Sequence, residues 1–228
     1  MKLYKLNKSV LRICNNPAQF LNGITANTTE EPQNVFLNIH GRIVAVFDQV
    51  KINDDEFWIV LQQSCLGTLF EHIDRYIKLS RVEVQKLEKH VYFDLKDNSA
   101  PIPETALVIP QKKGRLIVSD KELQESVSDE EFTLFRLRNN IPMQGIDFND
   151  DFVLNVDEKR LVSFTKGCFL GQEPVSKVHN RSRPTWHLVV EYEDKCDEQL
   201  KQKMTSKAID PETKRRLGFI FKRNESNK

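Results

Sequence analysis

The chain has 228 residues, 39% of them apolar and 29% charged, and its 34 basic and 33 acidic side chains leave a formal net charge of +1. That balance argues against a broad nucleic-acid or membrane-surface binder. No apolar run reaches the length of a membrane span, and Met1-Lys2-Leu3-Tyr4-Lys5 lacks the apolar segment of a secretory signal, so a cytoplasmic location is expected.

Residues 3–7 and 10–14 read as short strands, and Pro17 opens a helix to about residue 22, since proline is tolerated in a first helical turn. Residues 35–39 and 42–52 are apolar and β-branched and are separated by His40-Gly41, a hairpin signal. With 57–61 they predict an antiparallel meander. Leu66, Leu69, Phe70, Ile73, Tyr76 and Ile77 recur at helical spacing, with Ser64 as expected N-cap and the stripe lying on the sheet. Val82 and Val84 start another strand. Residues 98–110, with Pro101, Pro103 and Pro110, predict a loop or short edge strands. Lys112-Lys113-Gly114 is a turn between the apolar runs 106–109 and 115–118. Ser128 and Glu131 have the spacing of a capping box. Asp129 to Glu131 suit the positive end of that helix, and Arg136 and Arg138 its negative end. Asn140, Pro142 and Gly145 stop it. Residues 146–165 are irregular, and 187–193 and 217–221 read as strands.

The pattern predicts an α+β fold in three parts: 1–90, 91–185 and a short β unit, 186–228. The basic clusters Lys214-Arg215-Arg216 and Lys222-Arg223 read as solvated surface. Of four cysteines, none is spaced as a zinc knuckle or a redox pair. Cys14 and Cys65 read as core and Cys196, among acidic residues, as exposed.

The most chemically loaded segment is Lys166-Gly167-Cys168-Phe169-Leu170-Gly171-Gln172-Glu173. A lysine beside a cysteine favours the thiolate, and glycines permit sharp turns. Three chemistries are open to Cys168. As a nucleophile it needs a base, and His179 is the nearest histidine. As a metal ligand it needs partners the sequence does not supply, so no metal site is expected. As part of a pocket it needs only a shaped loop with polar groups. Lys177, His179, Arg181 and Arg183 follow, a cluster suited to an anionic ligand.

Residues 164–173 closely resemble the K-G-C-[YF]-x-G-Q-E hallmark of the YgfZ-type folate-binding proteins, which share a superfamily with the glycine-cleavage T protein, an aminomethyltransferase. Residues 138–148 resemble the family's R-x-x-x-[IG]-P-x-x-G-x-D-F segment, residues 20–27 its F-L-Q-G-x-x-T-N segment, and residues 38–43 its N-x-x-G-[KR]-[IV] turn. The resemblance implies a ring-like fold of mixed, largely antiparallel sheets around a tetrahydrofolate pocket. It implies a role in assembling or repairing iron–sulfur proteins, with client proteins or assembly factors as partners and tRNA-modifying enzymes among those affected downstream. It makes Cys168 the functional thiol, tuned by Lys166, with Gly167 and Gly171 shaping the loop and Gln172 and Glu173 organising it. Asn27 and Asp147 would line or support the pterin end, and Lys177 and Arg181 would face the glutamate tail. T proteins carry an aspartate after the asparagine of the N-terminal segment; here Thr28 follows Asn27, and a hydroxyl carries no charge near neutral pH. Aminomethyl transfer is therefore the alternative rather than the leading expectation. Lys177 stands where the family often has arginine, and the C-terminal barrel looks shortened.

Overall fold

The computed structural model describes residues 2–96 and 102–224. β1 (Leu3–Leu6) and β2 (Lys8–Cys14) open the chain, and α1 (Pro17–Ile24) begins on the predicted proline. β3 (Gln33–Leu37), β4 (Ile43–Asn53) and β5 (Glu56–Gln62) form the predicted antiparallel meander. After α2 (Leu66–Ser80), β6 (Glu83–Leu87) returns beside β2, giving a five-stranded sheet in the order β3-β4-β5-β2-β6.

Alternation along these strands decides what each face buries. Leu11, Ile13, Ala45, Phe47, Phe57 and Ile59 pack under α1 and α2, against Phe20, Leu21, Leu69 and Ile73. Val10 and Val60 face the other way, toward a second sheet. The α2 stripe lies on the sheet as expected, except that Phe70 is exposed. Ser64 is not the cap: a single 3-10 turn, Gln63–Cys65, leads directly into α2, and Cys65 takes the cap position without a side-chain bond.

The second sheet contains β7 (His90–Asp94), β8 (Leu107–Pro110) and β9 (Arg115–Ser119) in the order β1-β7-β9-β8. β1 thus crosses the boundary expected at residue 90, because Leu3 is buried against Tyr92 and Ile117. β8 is an edge strand ending on Pro110, where a missing N–H costs no ladder bond; of the proline-rich stretch, 98–101 lies outside the described residues. α3 (Asp129–Asn139) starts as predicted, with the Ser128 hydroxyl accepting from the Glu131 N–H, and stops at Asn140, whose φ is 51°.

α4 (Val153–Val156), α5 (Glu158–Leu161) and α6 (Gln172–Arg181) follow. Leu154, Leu161, Phe169 and Val175 from this region join Leu37 and Ile43 of the first sheet in a core that continues into the third. That third sheet comprises β10 (Trp186–Tyr192), β11 (Thr205–Ile209) and β12 (Arg216–Arg223), ordered β10-β12-β11, with α7 (Glu198–Lys203) before β11. Cys196 is buried, not exposed: it packs with Met204 and Ile220, and burial first, then the Glu191 carboxylate, pushes its thiol pKa up. The C-terminal basic clusters are mostly paired rather than free, Arg215 with Asp194, Arg216 with Glu193 and Lys222 with Glu191.

Candidate functional site

A cleft opens where the first two sheets, α3 and the segment 141–161 meet. Its empty space is about 700 Å³ when the open mouth and the solvent in it are counted. Its walls are apolar: Leu6, Val46, Phe93, Phe132, Met143 and Phe148 among others. Polar groups converge on them. The Asp48 carboxylate, almost wholly buried, accepts from Lys8 Nζ at 2.6 Å and from the amides of Gln33 and Gln111 at 3.0 Å each. Arg160 pairs with Asp157 in the same lining. Gln144 stitches the far wall to β4, accepting from Val46 N and donating to Val44 O. An apolar enclosure with a few fixed polar groups is the usual build of a small-molecule site.

None of the residues expected from sequence to bind the ligand lines this cleft. Asp147 lies behind its wall. It accepts from Arg136 Nη1 at 2.6 Å, from Met143 N, and from the Thr205 and Ser206 hydroxyls; Arg136 also donates to Ser206 Oγ at 2.6 Å. Asp147 thereby holds Arg136, which does line the cleft, and ties β11 to α3. Arg136 is buried in this network and not a solvent-facing partner of the helix dipole.

The cysteine motif lies on a different, shallower depression, lined by Asn22, Gly23, Thr28, Thr29, Glu30, Lys166, Gly167 and Cys168. Cys168 is exposed and makes no hydrogen bond or ion pair among the described residues, whereas Cys14, Cys65 and Cys196 are buried. Lys166 Nζ is spent elsewhere: it donates to the carbonyls of Thr25 and Asn27 at 2.7 Å each, and it stands 5.6 Å from the Phe169 ring centre. His179 stacks on Phe164 with ring centres 3.6 Å apart rather than on the thiol. Gly171 has φ 80°, and a Cβ there would overlap the Asn38 carbonyl oxygen; at Gly167 a Cβ would meet nothing. Gln172 and Glu173 form the first turn of α6, where Glu173 suits the positive helix end. Lys177 and Arg181 are exposed on the same helix and form no ion pair among the described residues.

Asn27 joins the two places. Its Nδ2 donates to the carbonyls of Gln33 and Arg160, its Oδ1 accepts from Thr28 N, and its N–H donates to the Asn34 side chain. Thr28 borders the thiol depression and not the cleft.

Burial pushes the Lys166 amine down to about 8 from its ordinary 10.5. Below pH 8 it is protonated folded and unfolded, and the full cost of burying the charge is present. Between about 8 and 10.5 the folded state binds fewer protons, so stability rises with pH across that window. Wild type should gain stability relative to Lys166→Met between pH 8 and 10.5 in urea titrations; a flat difference would show the amine to be unperturbed.

The sequence signal for the cleft was present in Asp48, a polar residue inside an apolar strand pattern. Nothing local marked Lys8, Gln111 or Arg160, which the fold brings together from distant segments.

No family model matches the chain. A Haemophilus influenzae relative described as "Uncharacterized protein" is 21% identical over 148 residues, covering 62% of this chain and 52% of its own. The chain therefore spans about half the length of the curated relative it matches. Among the described residues, no helix is long and apolar enough to cross a membrane, and no group of three or more metal-binding side chains lies together. The crystal structure of glycine cleavage system aminomethyltransferase T from Bartonella henselae is similar with a TM-score of 0.68 at 10% identity, over 96% of this chain and 77% of that one. The chain has the fold of the glycine cleavage T protein, mixed α+β with antiparallel sheets.

Proposed function

We propose that this protein is a YgfZ-type folate-binding protein, its parts set in a ring around the central cleft, that supports assembly or repair of iron–sulfur proteins in the cytoplasm. The observation that carries the folate reading is the cleft itself, an apolar slot with fixed amides and charges, in a fold whose solved neighbour is an aminomethyltransferase T. A pterin offers an aromatic face and an edge of alternating donors and acceptors, which suits walls of Phe93, Phe132 and Phe148 and the side chains of Gln33, Gln111 and Asp48. Lys8, Arg136 and Arg160 are the cations of the cleft; Arg136 is almost wholly buried, so the glutamate carboxylates are assigned to Lys8 and Arg160 in preference to Lys177 and Arg181.

Cys168 is the exposed thiol that can react with a partner, and the iron–sulfur role rests on it and on the K-G-C-x-x-G-Q-E resemblance. Acting on a client requires a thiol that reaches beyond the protein surface, and three of the four cysteines are buried.

Two measurements test the reading. Calorimetric titration with tetrahydrofolate should show binding that Arg160→Leu and Gln111→Leu each weaken by about tenfold, the scale of one lost polar contact of about 1.4 kcal/mol. Absence of heat at millimolar ligand would remove the folate assignment. A strain lacking its own homologue should be rescued by wild type and not by Cys168→Ala, and equal rescue would remove the thiol assignment. The fold also favours a second reading, aminomethyl transfer to folate. Turnover of an aminomethyl donor would establish it, and Thr28 in place of the acid argues against it.

A further inference from the structure

We infer that Asn27 and Lys166 form a clasp through which ligand in the cleft holds the Cys168 loop, making Asn27 a positioning residue for the thiol. The inference rests on the folate reading of the cleft.

The two sites share no lining residue, yet they share a wall. On the cleft side are Gln33 and Arg160. Their backbone carbonyls are held by the two N–H bonds of one side-chain amide, Asn27 Nδ2, at 3.1 and 2.9 Å. Residues 27 and 160 are far apart in sequence, so this amide pins α5 to the start of β3. On the thiol side, the carbonyls of Thr25 and Asn27 receive Lys166 Nζ, two residues before Cys168. The turn between them is locked from within. Asn34 Nδ2 donates to Asn27 O and Asn34 Oδ1 accepts from Asn27 N, while Thr25 Oγ1 donates to Leu21 O. Thr25, Asn27 and Asn34 are buried, and the Asn27 side-chain amide has both its oxygen and its nitrogen bonded. A second link runs in parallel, from Ser163 N to Ala26 O.

A ligand that touches the side chains of both Gln33 and Arg160 bridges the two segments whose carbonyls meet at Asn27. The bridge opposes any opening of the Asn27 bonds, and with them release of Lys166 from its carbonyls. Release matters chemically, because only a freed Lys166 ammonium can approach the thiol and favour its thiolate. Ligand in the cleft therefore slows attack by Cys168. Coupling of this kind is reciprocal in binding free energy, so a reversible modification that pulls the loop away should weaken the ligand.

The test measures the alkylation rate of Cys168 in the intact protein with iodoacetamide, with and without tetrahydrofolate, at a concentration shown by calorimetry to saturate each protein. Wild type should be slowed at least about threefold by ligand. In Asn27→Asp, which cannot donate to the Gln33 and Arg160 carbonyls, and in Lys166→Met, which cannot reach Thr25 and Asn27, the ratio should fall to one. Circular dichroism confirms that each variant is folded, and the half-buried Lys166 end of the clasp gives a variant independent of the buried Asn27. Heat of binding with an unchanged or faster rate in wild type overturns the clasp and leaves the folate reading standing. The same ratio in both variants as in wild type also overturns it. Absence of heat in wild type overturns both.

Discussion

Replacing Arg136 with methionine lowers the unfolding free energy by about 3–5 kcal/mol, the cost of leaving one buried charge without its partner. The partner is Asp147, with no exposed side-chain surface, against 4% for Arg136. Its remaining bonds come from Met143 N and from the Thr205 and Ser206 hydroxyls, so the lost charge unsettles the contact between α3, the 141–148 segment and β11 together. Asp147→Asn should cost less than Arg136→Met, since an amide still accepts hydrogen bonds but cannot neutralise the guanidinium. The double variant Arg136→Met/Asp147→Leu should recover part of the loss, because no charge is then left buried, though the hydroxyls and Met143 N remain unpaired. Urea unfolding of wild type, Arg136→Met, Asp147→Leu and the double variant gives the coupling energy directly. Additive losses would show that the two side chains act independently.

Gly171→Ala should destabilise by at least about 2 kcal/mol, whereas Gly167→Ala should stay within about 0.5 kcal/mol of wild type. The two glycines flank the same cysteine and look alike in sequence. They differ in backbone: Gly171 holds φ 80° at the N-cap of α6 and lies against the Asn38 carbonyl, where any Cβ collides. Gly167 faces open space. The hairpin turn and the thiol loop are thus packed backbone to backbone at one point. Widening it should also raise the alkylation rate of Cys168 as the loop loosens. Thermal unfolding of both variants decides the matter, and equal destabilisation would refute this division of roles.

Much of the frame could be read from the chain because its signals are local. Alternation along 35–61, the 3.6-residue stripe from Leu66 and the Ser128 cap each encode an element in a few neighbouring residues. β11 escaped because Thr205-Ser206-Lys207-Ala208-Ile209 has little apolar patterning and a bulge between Thr205 and Ala208; only pairing with β12 makes it a strand. Cys196 was misread because its acidic neighbours point outward while its own side chain turns in toward Met204. The site divides in the same way. The segment 166–173 announces itself by composition. The cleft does not, since Lys8, Asp48, Gln111 and Arg160 lie on four separate segments and meet only in the folded chain. Sequence placed ligand and thiol in one site; the structure separates the cleft from the thiol depression and leaves Asn27 between.

Hydrogen–deuterium exchange with and without tetrahydrofolate tests the central claim, that ligand enters the cleft and not the cysteine depression. Protection should concentrate at residues 33–34, 46–48, 111, 141–148 and 156–161, the backbone of the cleft lining. Any change at 166–173 should be smaller and should vanish in Asn27→Asp. Protection centred on 166–173, with the cleft segments unchanged, would contradict the account.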